Sequence, residues 1–563
     1  MLLNFIFIFL FLVCDCRTVL ERMHALDGMA VFAVFIGLYS LMALGLLAAS
    51  FIRSHTVRIS LAILFASASI LQLSFEWTTA GPLTYSSFVN LSHATGQIGE
   101  AVAQHGFVLV KAIGAASLLF LGIALPQKRW RLPSRWAAPA PLLALGVLTL
   151  MLYVRGGEGS RGLPAAYPSI AYAGFMTVEQ MEAGHGPREH PTLARTAPPQ
   201  AQDIVLLVDE SVAGNYLDLN QPGGMRSGLK EERKGVRVIN FGYASSIHNC
   251  SANSNLVLRF GGTPQTYREA YSHWPSIWSY AHAAGLRTVY IDGQSDHGHL
   301  QNMMTPAERK EIDDFIQLDG VPVVERDMRI ADLVAAHINN GRPEFIYVNK
   351  VGAHFPIADK YPEALTRYRP VMPRGHWSLA SWSSDRTGFN GTPREWVLYR
   401  NSYRNTLLWN VGTFFDRLLS AADLRKAAIV YTSDHGQDLH ERHNPGNNTH
   451  CGAGNAAQEE GLVPLAIIES DTVRGTGWER NLAANRDKSS GFRIFPTLLA
   501  MMGYDRAAME ARYGIALDGA GHDQFAYNVD FAPFLGKQPR FRKIDLKSVV
   551  APPRSDYTSV PVK

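Results

Sequence analysis

The chain has 563 residues, too many for one compact core, so two or more domains are expected. Hydrophobic residues make up 47% and the formal net charge is only +4. No dense Lys/Arg stripe with interleaved aromatics occurs, which argues against a nucleic-acid binder, and four cysteines are too few for a disulfide scaffold.

Apolar runs dominate residues 1–155. Five membrane spans are predicted at roughly 2–20, 29–51, 58–76, 107–125 and 137–154, each near the ~20 apolar residues that cross a bilayer. Leu2 to Val13 is short enough for a signal-peptide core. No small-residue cleavage site follows it, and Cys14-Asp15-Cys16 is a poor substitute, so a span is favoured. Arg53, His55 and Arg58 follow the second span; Lys128, Arg129, Arg131 and Arg135 follow the fourth. The long connection from Glu76 to about Gly106 has no Lys or Arg. The positive-inside rule therefore puts the N-terminus and both basic loops in the cytoplasm, and everything after Leu152 outside. Arg17 and Arg22, in the first outer loop, run against that rule. Tyr85, Asn90, His93, Thr95 and Glu100 are expected at the membrane surface below an outer domain, with Glu100 a candidate substrate contact.

Residues 156–202, rich in Gly, Pro, Arg and Ala, read as a linker. An outer domain is predicted over 203–540, with an irregular tail at 541–563. Within the domain, buried strands are expected at Ile204–Val208, Arg287–Ile291, Glu344–Val348, Ala427–Tyr431 and Pro464–Ile468. Helical stretches lie between them at Ser276–Ala284 and Arg400–Leu419, with a late helix at Arg493–Met502. This alternation predicts an α/β domain with a mostly parallel sheet, preceded by an α-helical membrane domain.

Ligands of open α/β sheets bind beyond the carboxyl ends of strands. Four of those ends carry Asp209-Glu210-Ser211, Asp292-Gly293-Gln294-Ser295, Asn349 to His354, and Ser433-Asp434-His435-Gly436. The last delivers a carboxylate and an imidazole, good hard-metal donors, to one point. His440, His443 and His450 follow in a loop. In Asn249-Cys250-Ser251-Ala252-Asn253-Ser254-Asn255, small polar residues precede an apolar run, as at a helix N-terminus that stabilises anions. A serine there is either a metal-activated nucleophile or a plain helix cap.

Taken in order, these residues resemble the membrane phosphoethanolamine transferases that modify lipid A, in the alkaline phosphatase superfamily, over nearly the whole chain. The resemblance implies five spans, a linker and an outer sulfatase-like domain. It implies metal ligands at Glu210, Asp434 and His435, and a hydroxyl nucleophile four residues after a cysteine, which is Ser254, itself at the metal. It also implies phosphoryl-binding or proton-donating histidines at His354 and His450, with Ser295 a further candidate substrate contact. The expected cofactor is Zn2+, with Mn2+ or Mg2+ as alternatives, and the expected donor is a phospholipid, phosphatidylethanolamine first. The acceptor is an envelope glycolipid or glycan such as lipid A, and the location is a bacterial inner membrane with the catalytic domain in the periplasm.

The departures are a serine for the family threonine, Gln437 for an acid, and loss of the usual local disulfide. Cys250 and Cys451 flank the site and can pair in an oxidising compartment. A sulfatase proper is disfavoured, because neither Cys250 nor Ser254 begins the x-Pro-x-Arg pattern that formylglycine formation needs. Rival readings are a phosphoglycerol transferase, a phosphodiesterase or phosphatase, and a non-catalytic membrane sensor.

Overall fold

The computed structural model describes residues 2–563 except 80–82, 94–97, 127–131, 156, 183–186, 355–356, 375–392, 442–450, 452–455, 471, 474–476, 531–538, 551–554, 556 and 560–563. The chain divides into two units, one over Met1–Glu182 and one beginning at Ala183.

The first unit is helical: α1 (Leu2–Val13), α2 (Cys16–His24), α3 (Met29–Ser50), α4 (His55–Thr79), α5 (Tyr85–His93), α6 (Ile98–Ala124), α7 (Ser134–Ala137), α8 (Pro139–Val154) and α9 (Pro168–Glu182). Among the described residues, four helices are long and apolar enough to cross a membrane, and α1 with α2, bent by 55°, makes a fifth when the pair is counted as one span. The first predicted span is thus broken at Cys14-Asp15, where Asp15 turns aside to accept hydrogen bonds from Thr18 and the Trp77 indole. At one end of the unit Arg58 donates to the carbonyls of Ile52 and Ala124. At the other, Tyr85 N donates to Gly157 O, and Ser160 Oγ and Tyr172 Oη to Leu83 O.

The predicted linker is not a single connector. Its first part includes α9, which packs on α4, α5 and α8. Its last part lies along the second unit: Thr196 N donates to Gly503 O, Gln200 N to Met501 O, and Asp505 N to Ala194 O.

The second unit is built on β1 (Asp203–Asp209), β2 (Arg237–Ser245), β3 (Arg287–Asp292), β4 (Asp314–Gln317), β5 (Glu344–Asn349), the short β6 (Tyr368–Arg369), β7 (Ala427–Ser433), β8 (Leu462–Glu469) and β9 (Ser489–Ser490). The main sheet runs β4-β3-β5-β1-β7-β8-β2-β9. Its first five strands are mutually parallel, and β8 is antiparallel to both β7 and β2. Alternate side chains of β1 feed two cores: Ile204, Leu206 and Val208 on one face, Val205 and Leu207 on the other. The tail is not wholly irregular, since Arg540–Lys543 pairs antiparallel with Ala526–Asp530.

The helix predicted over 400–419 runs as Pro393–Leu407, a π turn at Leu408–Thr413, and Phe414–Ala421. The π turn aims a carbonyl inward: Asn410 O accepts from the Lys350 ammonium at 2.5 Å. A final helix that matters here, α10 (Ser251–Phe260), follows β2 with Cys250 as its cap residue.

Candidate metal centre

The centre follows from strand register. Asp209 of β1 sits opposite Ser433 of β7, so the next residues, Glu210 and Asp434, emerge side by side where the sheet stops. The Asp434 amide donates to Asp209 O at 2.9 Å, and Asp434 Oδ1 accepts from the amides of Ser211 (3.0 Å) and His435 (2.7 Å). Gly436 is required by close approach, because a Cβ there would collide with the Glu459 carbonyl. His435 Nδ1 lies 2.6 Å from Gly436 O. That contact makes Nδ1 a proton donor to the carbonyl and turns Nε2 towards the carboxylates, where it would meet a metal ion.

Glu210, Asp434 and His435 each offer a donor atom within 4.8 Å of the others, and all are buried. His435 Nε2 lies 3.2 Å from Glu210 Oε1 and 3.8 Å from Asp434 Oδ2. Asp434 Oδ2 is buried and faces the Glu210 and His435 donors. Burial, reinforced by Glu210, pushes the Asp434 carboxyl well above its usual range. Burial pulls the His435 imidazole down, but Asp434 and Glu210 outweigh it and carry it to about 9. Two carboxylates buried this close repel, and a divalent cation removes that cost. The donor set therefore fits a divalent metal.

The hydroxyl at this cluster is Ser251, not Ser254. Ser251 Oγ lies 3.1 Å from Glu210 Oε1 and 3.3 Å from His435 Nε2. Those spacings approximate the ~3.3 Å edge of a tetrahedron with ~2.0 Å metal bonds. Ser254, three residues on, turns to the chain behind it: its Oγ donates to His248 O and accepts from His248 N, both at 3.1 Å. The helical phase decides the matter. Cys250 ends the extended segment, so Ser251 is the first helical residue and projects from the helix mouth, while Ser254 is held inside the first turn. Counting from the cysteine misses this; locating the cap residue would have found it.

Gln294 was named only as part of a strand end, yet its amide donates to Glu210 Oε2 (3.1 Å) and Lys350 O (2.8 Å), so it fixes which carboxylate oxygen faces His435. Ser295 beside it is buried, its hydroxyl without a hydrogen-bond partner among the described residues. His354 follows Ala353, whose amide donates to Glu210 O at 2.8 Å, and a Cβ on Gly352 would collide with the Glu210 backbone. The post-β5 loop is thereby pressed against the centre. His443 and His450 lie outside the described residues. Cys451, however, is disulfide-bonded to Cys250, and its amide donates to Asn249 O at 3.0 Å. His440 stacks on Trp396 with ring centroids 5.3 Å apart. Glu100 belongs to α6 of the helical unit, and its side chain lies outside the described residues.

The Sulfatase family model matches residues 202–504, just over half of the chain. The chain belongs to the sulfatase family. Among solved structures, this sulfatase-family chain is similar to the integral membrane lipooligosaccharide phosphoethanolamine transferase A from Neisseria meningitidis. Sequence identity is 15%, coverage is 92% of this chain and 98% of that one, and the TM-score is 0.60. It also matches the C-terminal periplasmic domain of EcEptC from Escherichia coli, solved as a complex with Zn, at 15% identity over 63% of this chain and 96% of that one, with a TM-score of 0.47. No curated protein sequence matches. The first likeness shows a shared fold along nearly the whole chain, helical unit included.

Proposed function

We propose that this sulfatase-family protein is a membrane-anchored, metal-dependent phosphotransferase. It moves a phospho-head-group, phosphoethanolamine first among candidates, from a membrane phospholipid to an envelope lipid or glycan such as lipid A. The observation that carries the reading is the contact of Ser251 Oγ with both Glu210 and His435. It replaces Ser254 with Ser251 as the proposed nucleophile.

Glu210, Asp434 and His435 would hold the cation; mixed carboxylate and imidazole donors favour Zn2+ over Mn2+ or Mg2+. Such an ion lowers the pKa of a neighbouring hydroxyl and stabilises charge on phosphoryl oxygens. Ser251 Oγ then attacks the donor phosphorus, diacylglycerol leaves with a proton, and the head group stays esterified to the serine. An acceptor hydroxyl or phosphate displaces it in a second step. The N-terminus of α10, where the helix dipole favours negative charge, would stabilise the phosphoryl oxygens. His354 and His450 are proposed to bind those oxygens or to protonate the leaving group. Ser295 and Glu100 remain proposed substrate contacts. Hydrolysis of sulfate esters through formylglycine is disfavoured, because Ser251 is followed by Ala252-Asn253-Ser254-Asn255, without the proline and arginine.

The Cys250–Cys451 disulfide supports an oxidising compartment, and with the basic cytoplasmic loops it supports an inner membrane with the second unit in the periplasm. The test supplies the purified full chain with head-group-labelled phosphatidylethanolamine and lipid A. Label on the acceptor, abolished by Ser251→Ala, is expected. Label released only as free head group would make the protein a phosphodiesterase, and transfer surviving Ser251→Ala would refute the nucleophile.

A further inference from the structure

The positive-inside rule leaves an anomaly. Four arginines, Arg17, Arg22, Arg155 and Arg161, lie in segments at the end of the helical unit opposite Arg53 and Arg58, where the rule expects few. The structure brings them together around one turn. Gly162 sits against the Arg22 side chain, and a Cβ on Gly162 would lie 3.0 Å from Arg22 Cβ. Arg155 folds over Gly159, its Nε 2.8 Å from where a Cβ would be. Arg155 and Arg161 are the charged neighbours of Arg22.

The cluster is under-compensated. Glu21 is shared between Arg17 (2.9 Å) and Arg161 (3.1 Å). The side chains of Arg22 and Arg155 have no ion-pair partner among the described residues, and Arg22 Nε is buried without a hydrogen bond. A guanidinium half-covered by protein and left with a dry N–H is costly unless something supplies an acceptor. Apolar side chains on the same helices stand exposed beside it: Leu20 on α2, and Leu150 and Val154 on α8, at 53%, 63% and 65%. Cationic forks above apolar helix faces match a phospholipid, with phosphate at the arginines and acyl chains along the helices.

We propose that Arg22 and Arg155, with Arg161 beside them, form a binding site for the phosphate of a membrane phospholipid on the helical unit. The site needs no step of the phosphotransfer reading, though it could retain the donor that reading requires. It recognises the phosphate diester and is indifferent to whether ethanolamine or glycerol follows.

Native mass spectrometry of the full chain in detergent tests it, with phosphatidylethanolamine, phosphatidylglycerol, diacylglycerol and inorganic phosphate as separate probes. Both phospholipids should be retained, and Arg22→Gln/Arg155→Gln should lower retention roughly tenfold, as for loss of charge-assisted hydrogen bonds. Diacylglycerol and inorganic phosphate should not be retained. Because Arg155 is exposed, Arg155→Gln alone removes no buried side chain, and it should lose part of the binding. Equal retention by the folded double variant, or binding of diacylglycerol as strong as that of phospholipid, would overturn the site; binding of phosphate alone would make it an ion site rather than a lipid site. Ser251→Ala should leave retention intact, so failure of the catalytic reading and failure of the lipid site are told apart.

Discussion

Asp209 and Glu210 are consecutive, both fully buried, and opposite in character. Asp209 points to the face where Lys350 Nζ meets it at 2.7 Å, with Asp327 3.9 Å from the same ammonium and the Phe414 ring 3.8 Å away. The Tyr431 hydroxyl donates to the other Asp209 oxygen, and the amides of Val351 and Gly352 donate to Asp327. This layer carries its own cation. Glu210, one step on, meets Asp434 and His435, the three donors of the candidate metal centre. The same strand ends thus build one layer closed around a lysine and one whose donor set fits a divalent metal, and that difference separates a structural ion pair from a candidate metal centre.

The largest expected effect tests the candidate metal centre. Ser251→Ala should lower transfer by about 10³-fold or more, whereas Ser254→Ala should lose only a buried hydrogen bond, about 1 kcal/mol, and keep most activity. Labelled head-group transfer by the full chain measures both. The closed layer is tested by Lys350→Met, which strands Asp209 and Asp327. Destabilisation of about 3–5 kcal/mol is expected in thermal unfolding of the full chain, and restoring much of it with Asp209→Asn added would confirm that charge, not shape, was lost. A smaller effect belongs to Gln294→Leu. With Glu210 Oε2 released, zinc affinity measured by competition with a chelator should fall about 10- to 100-fold while folding persists. Smallest is Cys451→Ser: the two strand-end clusters keep their geometry, and zinc content of the purified chain should be unchanged. A loss of zinc there would mean that the 442–455 loop supplies part of the centre.

How much of this could be read beforehand depends on what each residue answers to. Strands buried on both faces announced themselves as apolar runs, and β1, β3, β5, β7 and β8 lie where those runs are. β2 did not, since Asn240 and Gly242 interrupt it, with Asn240 Oδ1 accepting from the Gly242 amide inside a bulge. β4 is half-exposed and carries charge at its start. Glu210, Asp434 and His435 were legible because a parallel sheet sends its strand ends to one edge. Ser251 was not, because its place depends on helical phase, set by a cysteine cap that no propensity scale favours. Gln294 was hidden for another reason: it acts through a tertiary contact with Glu210, 84 positions away.

The π turn at Leu408–Thr413 ties helix length to charge. Asn410 there gives its carbonyl to Lys350 and its side-chain amide to Gly352 O, so one residue of that turn touches both the buried lysine and the loop pressed on Glu210. A π turn holds one residue more than the α-helix around it. Deleting that residue would rewind the segment and swing whatever follows by about 100°, carrying Phe414 off the Lys350 ammonium. The surplus residue is therefore a spacer in chain length, and insertions or deletions tolerated in the neighbouring loops would not be tolerated in this helix.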